Sequence, residues 1–155
     1  MSNVVSTTRL LFYSDQVITE DAWPNDLFQK HLQSTGDLGD RMEKAFKTAL
    51  TISDKALIIG SDCPYITQEI IESAFDALDN NDIVIGPTFD GGYYMIGMKS
   101  LHSHLFRDIT WSTELVYQTT IDRIKNLGLI FTNGPQLSDI DYAEDWERYL
   151  KSKPV

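Results

Sequence analysis

Four aspartates in this chain stand where ordered elements are expected to end: Asp62 in GSDCP, Asp90 in DGG, and Asp139 and Asp141 in DID. Carboxylate oxygens at such points are the ligands Mg²⁺ or Mn²⁺ takes, because these hard cations prefer oxygen and are commonly shared between one or two carboxylates and substrate phosphates. The neighbouring glycines, Gly60, Gly91 and Gly92, lack the Cβ that would keep a ligand from the backbone. Each signal also has a plainer reading. Asp62 can cap the turn before the next helix, Gly91 and Gly92 can be a hairpin turn, Asp139 and Asp141 can be turn residues or an N-cap, and Glu144 and Asp145 can simply favour a helix N-terminus. Cys63 reads as a small buried hydrophobe rather than a redox group, and His102 and His104 as surface residues rather than zinc ligands.

The whole-chain balance narrows the chemistry. With 155 residues and 42% of them hydrophobic, the chain has the size of one domain with a real core. A net charge of -10 and a pI near 4.5 leave no basic stripe for a nucleic-acid backbone, and an anionic substrate would need a metal. The lone cysteine excludes an internal disulfide and a thiolate zinc cluster, which suits a reducing cytoplasm. Ahead of Arg9 the residues read neither as a signal peptide nor as a membrane span.

These acids need elements to hold them. Ala56 to Gly60, ALIIG, is a short apolar run rich in β-branched residues, and it predicts a buried central strand whose carboxyl end delivers Asp62. In open α/β sheets that end is where ligands bind. Arg9 to Tyr13 predicts a strand, Gln16 to Thr35 an irregular connector, and Asp40 to Leu50 a helix with Met42, Ala45, Phe46, Ala49 and Leu50 on one stripe. Thr67 caps a second helix that buries Ile70, Ile71, Ala74, Phe75 and Leu78. Asp82 to Gly86 repeats the form of the first core strand, which implies a parallel crossover, and Tyr93 to Met98 returns antiparallel. Ser112 or Thr113 caps a third helix with Val116, Thr120, Ile124 and Leu127 inward, stopped by Gly128. Leu129 to Thr132 predicts a strand, and DIDYAEDW leads into a last helix with Ala143, Trp146 and Leu150 on one side. Neither repeat nor linker interrupts the sequence, so one domain, residues 1–155, is expected.

In this order the motifs resemble a family, the GT-A-fold nucleotide-diphospho-sugar transferase-like proteins known as radical-SAM/selenodomain-associated transferases. The matching pieces are GDLGDRM at Gly36 to Met42, IIGSDCP at Ile58 to Pro64, IGPTFDGGYYMIG at Ile85 to Gly97, LF then TWST between Leu105 and Thr113, and DIDYAED at Asp139 to Asp145. The resemblance implies an α/β, Rossmann-like GT-A three-layer sandwich with a mixed, mainly parallel sheet. It implies that Asp62 occupies the superfamily's metal position and that Asp141, or failing it Asp139, completes the site. Catalysis would fall to Asp62 and Asp90. Ser61, Gly91, Gly92 and Tyr93 would line the cleft, with Trp111 and Ser112 on its far wall and Arg41 as the cation within a matched motif.

The family normally begins with a strand and a PxxGxxKTR-type phosphate loop, and no such segment precedes Arg9, so the domain is expected to be short at its N-terminus. In the resembled fold that strand lies between Arg9 to Tyr13 and the strand ending in Asp62. Arg9 to Tyr13 is therefore expected to shift inward against Leu57 to Gly60, or a second protomer in a homodimer to supply the missing partner. The implied activity is metal-dependent nucleotidyl or glycosyl transfer, with Mg²⁺ or Mn²⁺ bridging a nucleotide or nucleotide-sugar diphosphate, and with a small-molecule acceptor. Two alternatives stay open: a non-catalytic binding module of the same fold, and a metal-dependent hydrolase of a phosphorylated small molecule.

Overall fold

The computed structural model describes residues 7–140 and 142–152. In chain order the elements are β1 (Leu10–Tyr13), β2 (Gln29–Leu32), α1 (Leu38–Ala49), β3 (Ala56–Ile59), α2 (Gln68–Ala77), β4 (Ile83–Pro87), β5 (Tyr93–Met98), α3 (Val116–Asn126), β6 (Phe131–Asn133) and α4 (Ala143–Ser152). A single 3₁₀ turn, Ser103–Leu105, lies between β5 and α3. The main sheet has the order β3-β5-β4-β6, and β1 and β2 form a separate two-stranded sheet. β5 runs antiparallel to both β3 and β4, and β6 runs parallel to β4, so β3, β4 and β6 all point the same way.

Local chemistry fixes the helix ends. At the start of α1, Asp40 N–H donates to Asp37 Oδ1 at 2.9 Å while Asp37 N–H donates to Asp40 Oδ2 at 3.1 Å, a reciprocal box that satisfies two otherwise orphaned donors. Thr67 Oγ1 accepts from Ile70 N–H at 3.3 Å and opens α2 as its sequence implies. α3 ends where Gly128 takes a φ of 68°. There Gly128 N–H reaches Lys125 O at 3.0 Å and Leu129 N–H reaches Ile124 O at 3.1 Å, the paired bonds of a left-handed helix stop.

The sheet is covered on both faces. Ile83, Ile85, Ile96 and Met98 pack with Met42 and Phe46 of α1 and with Ile121 and Ile124 of α3. Val84 and Met95 turn to the opposite side, against Cys63 and against Ala74 and Leu78 of α2. The alternation of Ile83, Val84 and Ile85 is the two-residue period of a strand buried on both faces, which is why its sequence reads as one unbroken apolar run. The three layers are thus helices, sheet, helix. No helix of the described residues is long and apolar enough to cross a membrane.

Several expectations need correction. β3 is an edge strand of its sheet rather than a central one, because β5 returns between β3 and β4. Its apolar run reflects cover from α1 and α2 above and below, and cover does not encode lateral order. β1 has not shifted inward: it pairs in parallel with β2, from Leu10 opposite Gln29 to Tyr13 opposite Leu32. That strand at Gln29–Leu32 lies inside the stretch expected to be irregular. α3 opens at Val116 without a side-chain cap, since Ser112 has a φ of 60° and Thr113 Oγ1 donates instead to Thr110 O at 2.8 Å. Leu127 is 46% exposed, and Ile121 takes the inward place expected of it.

Candidate functional site

Because β3, β4 and β6 are parallel, their carboxyl ends and the loops that follow share one rim of the main sheet. β3 ends in Gly60, Ser61 and Asp62, with Gly60 N–H held on Tyr94 O at 2.8 Å. β4 ends in Pro87, Thr88 and the DGG turn. A segment that sequence reasoning passed over, residues 134–138, then laces the rim together by backbone bonds, joined by Ile140 of the DID motif. Gly134 N–H donates to Ile85 O at 2.7 Å, Leu137 N–H to Pro87 O at 3.1 Å, Phe89 N–H to Leu137 O at 3.3 Å, and Ile140 N–H to Asp62 O at 2.9 Å. Composition marks GPQLSD only as a loop, and nothing in it announces these partners.

The last of those bonds brings two of the predicted acids together. Asp62 is exposed and Asp139 half-buried. Burial pushes the Cys63 thiol up, and the charges of Asp62 and Asp139 push it further, against a lowering backbone hydrogen bond at Tyr65. Cys63 is 3% exposed and its Sγ donates to Ser138 O at 3.4 Å, so it packs as the small hydrophobe its surroundings suggest. Asp141, the other predicted metal ligand, lies outside the described residues.

Asp90 is committed locally. Its Oδ1 accepts from the Thr88 hydroxyl and from Gly92 N–H at 3.0 Å, which closes the turn. Gly91 has a φ of 91° and sits flat against Glu114, where a Cβ would come within 2.7 Å of the carbonyl carbon. Gly91 O accepts from Tyr117 N–H at 2.9 Å, joining the DGG turn to the start of α3. Tyr93 turns into the core beneath α3, where burial raises its phenol. Its hydroxyl lies beside Thr120 rather than on the rim.

On the far side, Trp111 lays its indole over Gly39, where a Cβ would meet Phe106 O and approach Trp111 Cζ2 to 2.9 Å. The motifs at 36–42 and 110–113 are therefore one packed unit, and the buried indole Nε1 within it has no hydrogen-bond partner among the described residues. Ser61 and Ser112 are exposed. Arg41 Nε donates to Gly36 O and Nη1 to Gln33 Oε1, each at 3.2 Å, which holds its guanidinium beside the loop before α1. Large apolar side chains also flank the DGG turn, with Phe89 70% and Leu115 61% exposed.

The β4–β5 junction carries a second close packing. The Tyr94 ring lies across Gly86, where a Cβ would fall 2.6 and 2.7 Å from the two Cε atoms. The phenol then donates to Pro135 O at 3.0 Å, and burial followed by the nearby Cys63 raises it to about 12.

The mixed α/β sheet, with acids and glycines on its carboxyl rim, is shared with a solved structure. A crystal structure from Desulfovibrio desulfuricans G20, of a protein described as a candidate nucleotide-diphospho-sugar transferase, superposes with a TM-score of 0.76 at 30% identity over 86% of this chain and 61% of that one. The chain thus spans about three fifths of that neighbour's length. Residues 2–113 match the family model described as "Uncharacterized protein conserved in bacteria (DUF2064)", and the chain belongs to that family. No functionally curated protein matches it.

Proposed function

We propose that this protein is a metal-dependent nucleotidyl- or glycosyltransferase of the radical-SAM/selenodomain-associated branch, acting in the cytoplasm on a nucleotide or nucleotide-sugar donor and a small-molecule acceptor. The observation that carries the reading is the 2.9 Å bond from Ile140 N–H to Asp62 O, which sets the acid-bearing DID stretch against the carboxyl end of β3. Among the described residues no group of three His, Cys, Asp or Glu side chains converges. Two carboxylates with substrate phosphates are nonetheless a usual ligand set for Mg²⁺ or Mn²⁺, so the donor chemistry fits. Asp62 and Asp139, with Asp141 two residues after Asp139, would hold the ion, whose charge would offset that of a diphosphate leaving group. In a chain of net charge -10 that neutralisation is needed for an anionic donor to approach at all.

Calorimetry of the protein with Mn²⁺ and a panel of nucleoside diphosphates and nucleotide sugars tests the reading. Nucleotide binding that requires the metal and is lost in Asp62→Asn is expected. Absence of heat from every nucleotide, with and without metal, would sink it. A second reading, a binding module without catalysis, draws support from Asp90, whose Oδ1 is engaged by Thr88 and Gly92 in closing its own turn. Metal-dependent nucleotide binding without turnover of any panel member would favour that reading.

A further inference from the structure

Residues 107–115 cross the carboxyl rim as a strap. α1 turns into β3 through residues 50–55 and shares a core cluster with it, so the first turn of α1 lies at the end of the sheet where β3 finishes. The strap touches that turn at Gly39 through Trp111, and it touches the DGG turn at Gly91 through Glu114. Both of its ends are fastened. Arg123 of α3 donates from Nη1 to His104 O at 3.0 Å and to Arg107 O, and from Nη2 to Asp108 O at 2.8 Å. At the other end Val116 N–H reaches Thr113 O at 3.3 Å and Tyr117 N–H reaches Gly91 O at 2.9 Å.

Between these anchors the chain is held by little. Among the described residues, the backbone groups of 109–112 make no main-chain hydrogen bond, and Thr110 O accepts from the Thr113 hydroxyl inside the strap itself. Two costs weigh on the arrangement. Asp108 and Ser112 have φ of 51° and 60°, a region that aspartate tolerates and serine enters less readily. The Trp111 Nε1–H is buried with no acceptor among the described residues, where water would otherwise supply one. Favouring it are Ile109, 7% exposed, and the seat of the indole on Gly39. A segment with so few buried contacts and no backbone ladder opens at lower cost than the fold around it.

We propose that residues 109–112 are a gate that swings about Asp108 and Ser112 while its anchors hold, lifting Trp111 from Gly39 and opening the α1 side of the carboxyl rim to a ligand. Closed, the gate leaves the indole donor unsatisfied; open, that donor meets water or a ligand oxygen. The motion belongs to the free protein, so it stands or falls separately from the nucleotide chemistry proposed above.

Native-state hydrogen exchange of the whole chain in low urea, with no ligand added, tests the gate. The Trp111 indole N–H and the amides of residues 109–112 should exchange through an opening that urea barely accelerates, because it exposes little surface, while the amides of Val84 and Ile85 follow global unfolding. Ser112→Gly removes the left-handed cost from the closed form and should slow indole exchange at least about threefold. Ser112→Val, which raises that cost, should hasten it. An indole whose exchange climbs with urea as steeply as that of Val84 overturns the proposal, because it then opens only with the whole fold. So does an indole rate that Ser112→Gly leaves unchanged, or one as fast as in a free peptide.

Discussion

Replacing Gly91 by alanine isolates how the DGG turn is held against α3. At a φ of 91° an L-residue costs about 1–2 kcal/mol over glycine. The added Cβ would also overlap Glu114 O and lie 2.7 Å from that residue's carbonyl carbon and 2.8 Å from its Cα. These are backbone atoms, so no side chain can swing aside and the turn must lift. Lifting gives up the 2.9 Å bond from Tyr117 N–H to Gly91 O, a net loss of about 0.5–1.5 kcal/mol. Gly91→Ala is therefore expected to destabilise the fold by about 1.5–3.5 kcal/mol. Gly128→Ala supplies the control. Its φ is 68°, but nothing lies within 4 Å of the new Cβ, so only the conformational cost of about 1–2 kcal/mol applies. Urea unfolding followed by circular dichroism, extrapolated linearly to water, measures both. A Gly91→Ala protein no less stable than Gly128→Ala would refute the contact with Glu114.

Other outcomes follow from the same structure. Phe46 is fully buried between α1 and the sheet, and Phe46→Ala should cost about 3–5 kcal/mol in the same unfolding assay. Cys63, buried with its thiol raised, should resist a thiol reagent at pH 8 in the native protein and react once unfolded; prompt native labelling would contradict its placement. The hydrogen bond from Lys30, then that from Tyr13, holds the Asp21 carboxyl at about 2. A depressed carboxylate stabilises the fold above its unfolded value near 4 and loses that contribution as pH falls through about 2. Carbon-detected titration should place Asp21 there, and Lys30→Met should move it upward; an unmoved midpoint would exclude the tether.

The helices were legible because burial leaves a period in sequence: Met42 and Phe46 recur on one face of α1, and Thr67 marks the start of α2 by its hydroxyl. Lateral relations leave no such trace. ALII reads the same at the centre of a sheet or at its edge, since its apolar character answers to the helices packed on its faces. QKHL does not read as a strand at all, because β2 exists by backbone bonding to β1 with Gln29 and Leu32 exposed. At the rim, the glycines and acids stood out by type and position. What each one does is settled by partners far away in sequence: Asp90 by Thr88 and Gly92, Gly91 by Glu114, Asp62 by Ile140. The 134–140 segment contributes almost entirely main-chain groups, and those are the same in every sequence.

The Tyr94 ring resting on Gly86 also constrains how such a chain can change over time. Any side chain arriving at Gly86 first meets the buried ring and must displace it, in a strand buried from Ile83 through Gly86. A shrinking substitution at Tyr94 first leaves a void where a 3% exposed ring had been and releases Pro135 O from the phenol, loosening the segment that carries Asp139. Neither single step is neutral, so the two positions form a locked pair whose mutational routes depend on order. Drift in this lineage is expected to accumulate at exposed helix positions such as Lys47 or Asp76 long before it reaches Gly86, and a reconstructed ancestor should already hold the glycine and the aromatic ring together.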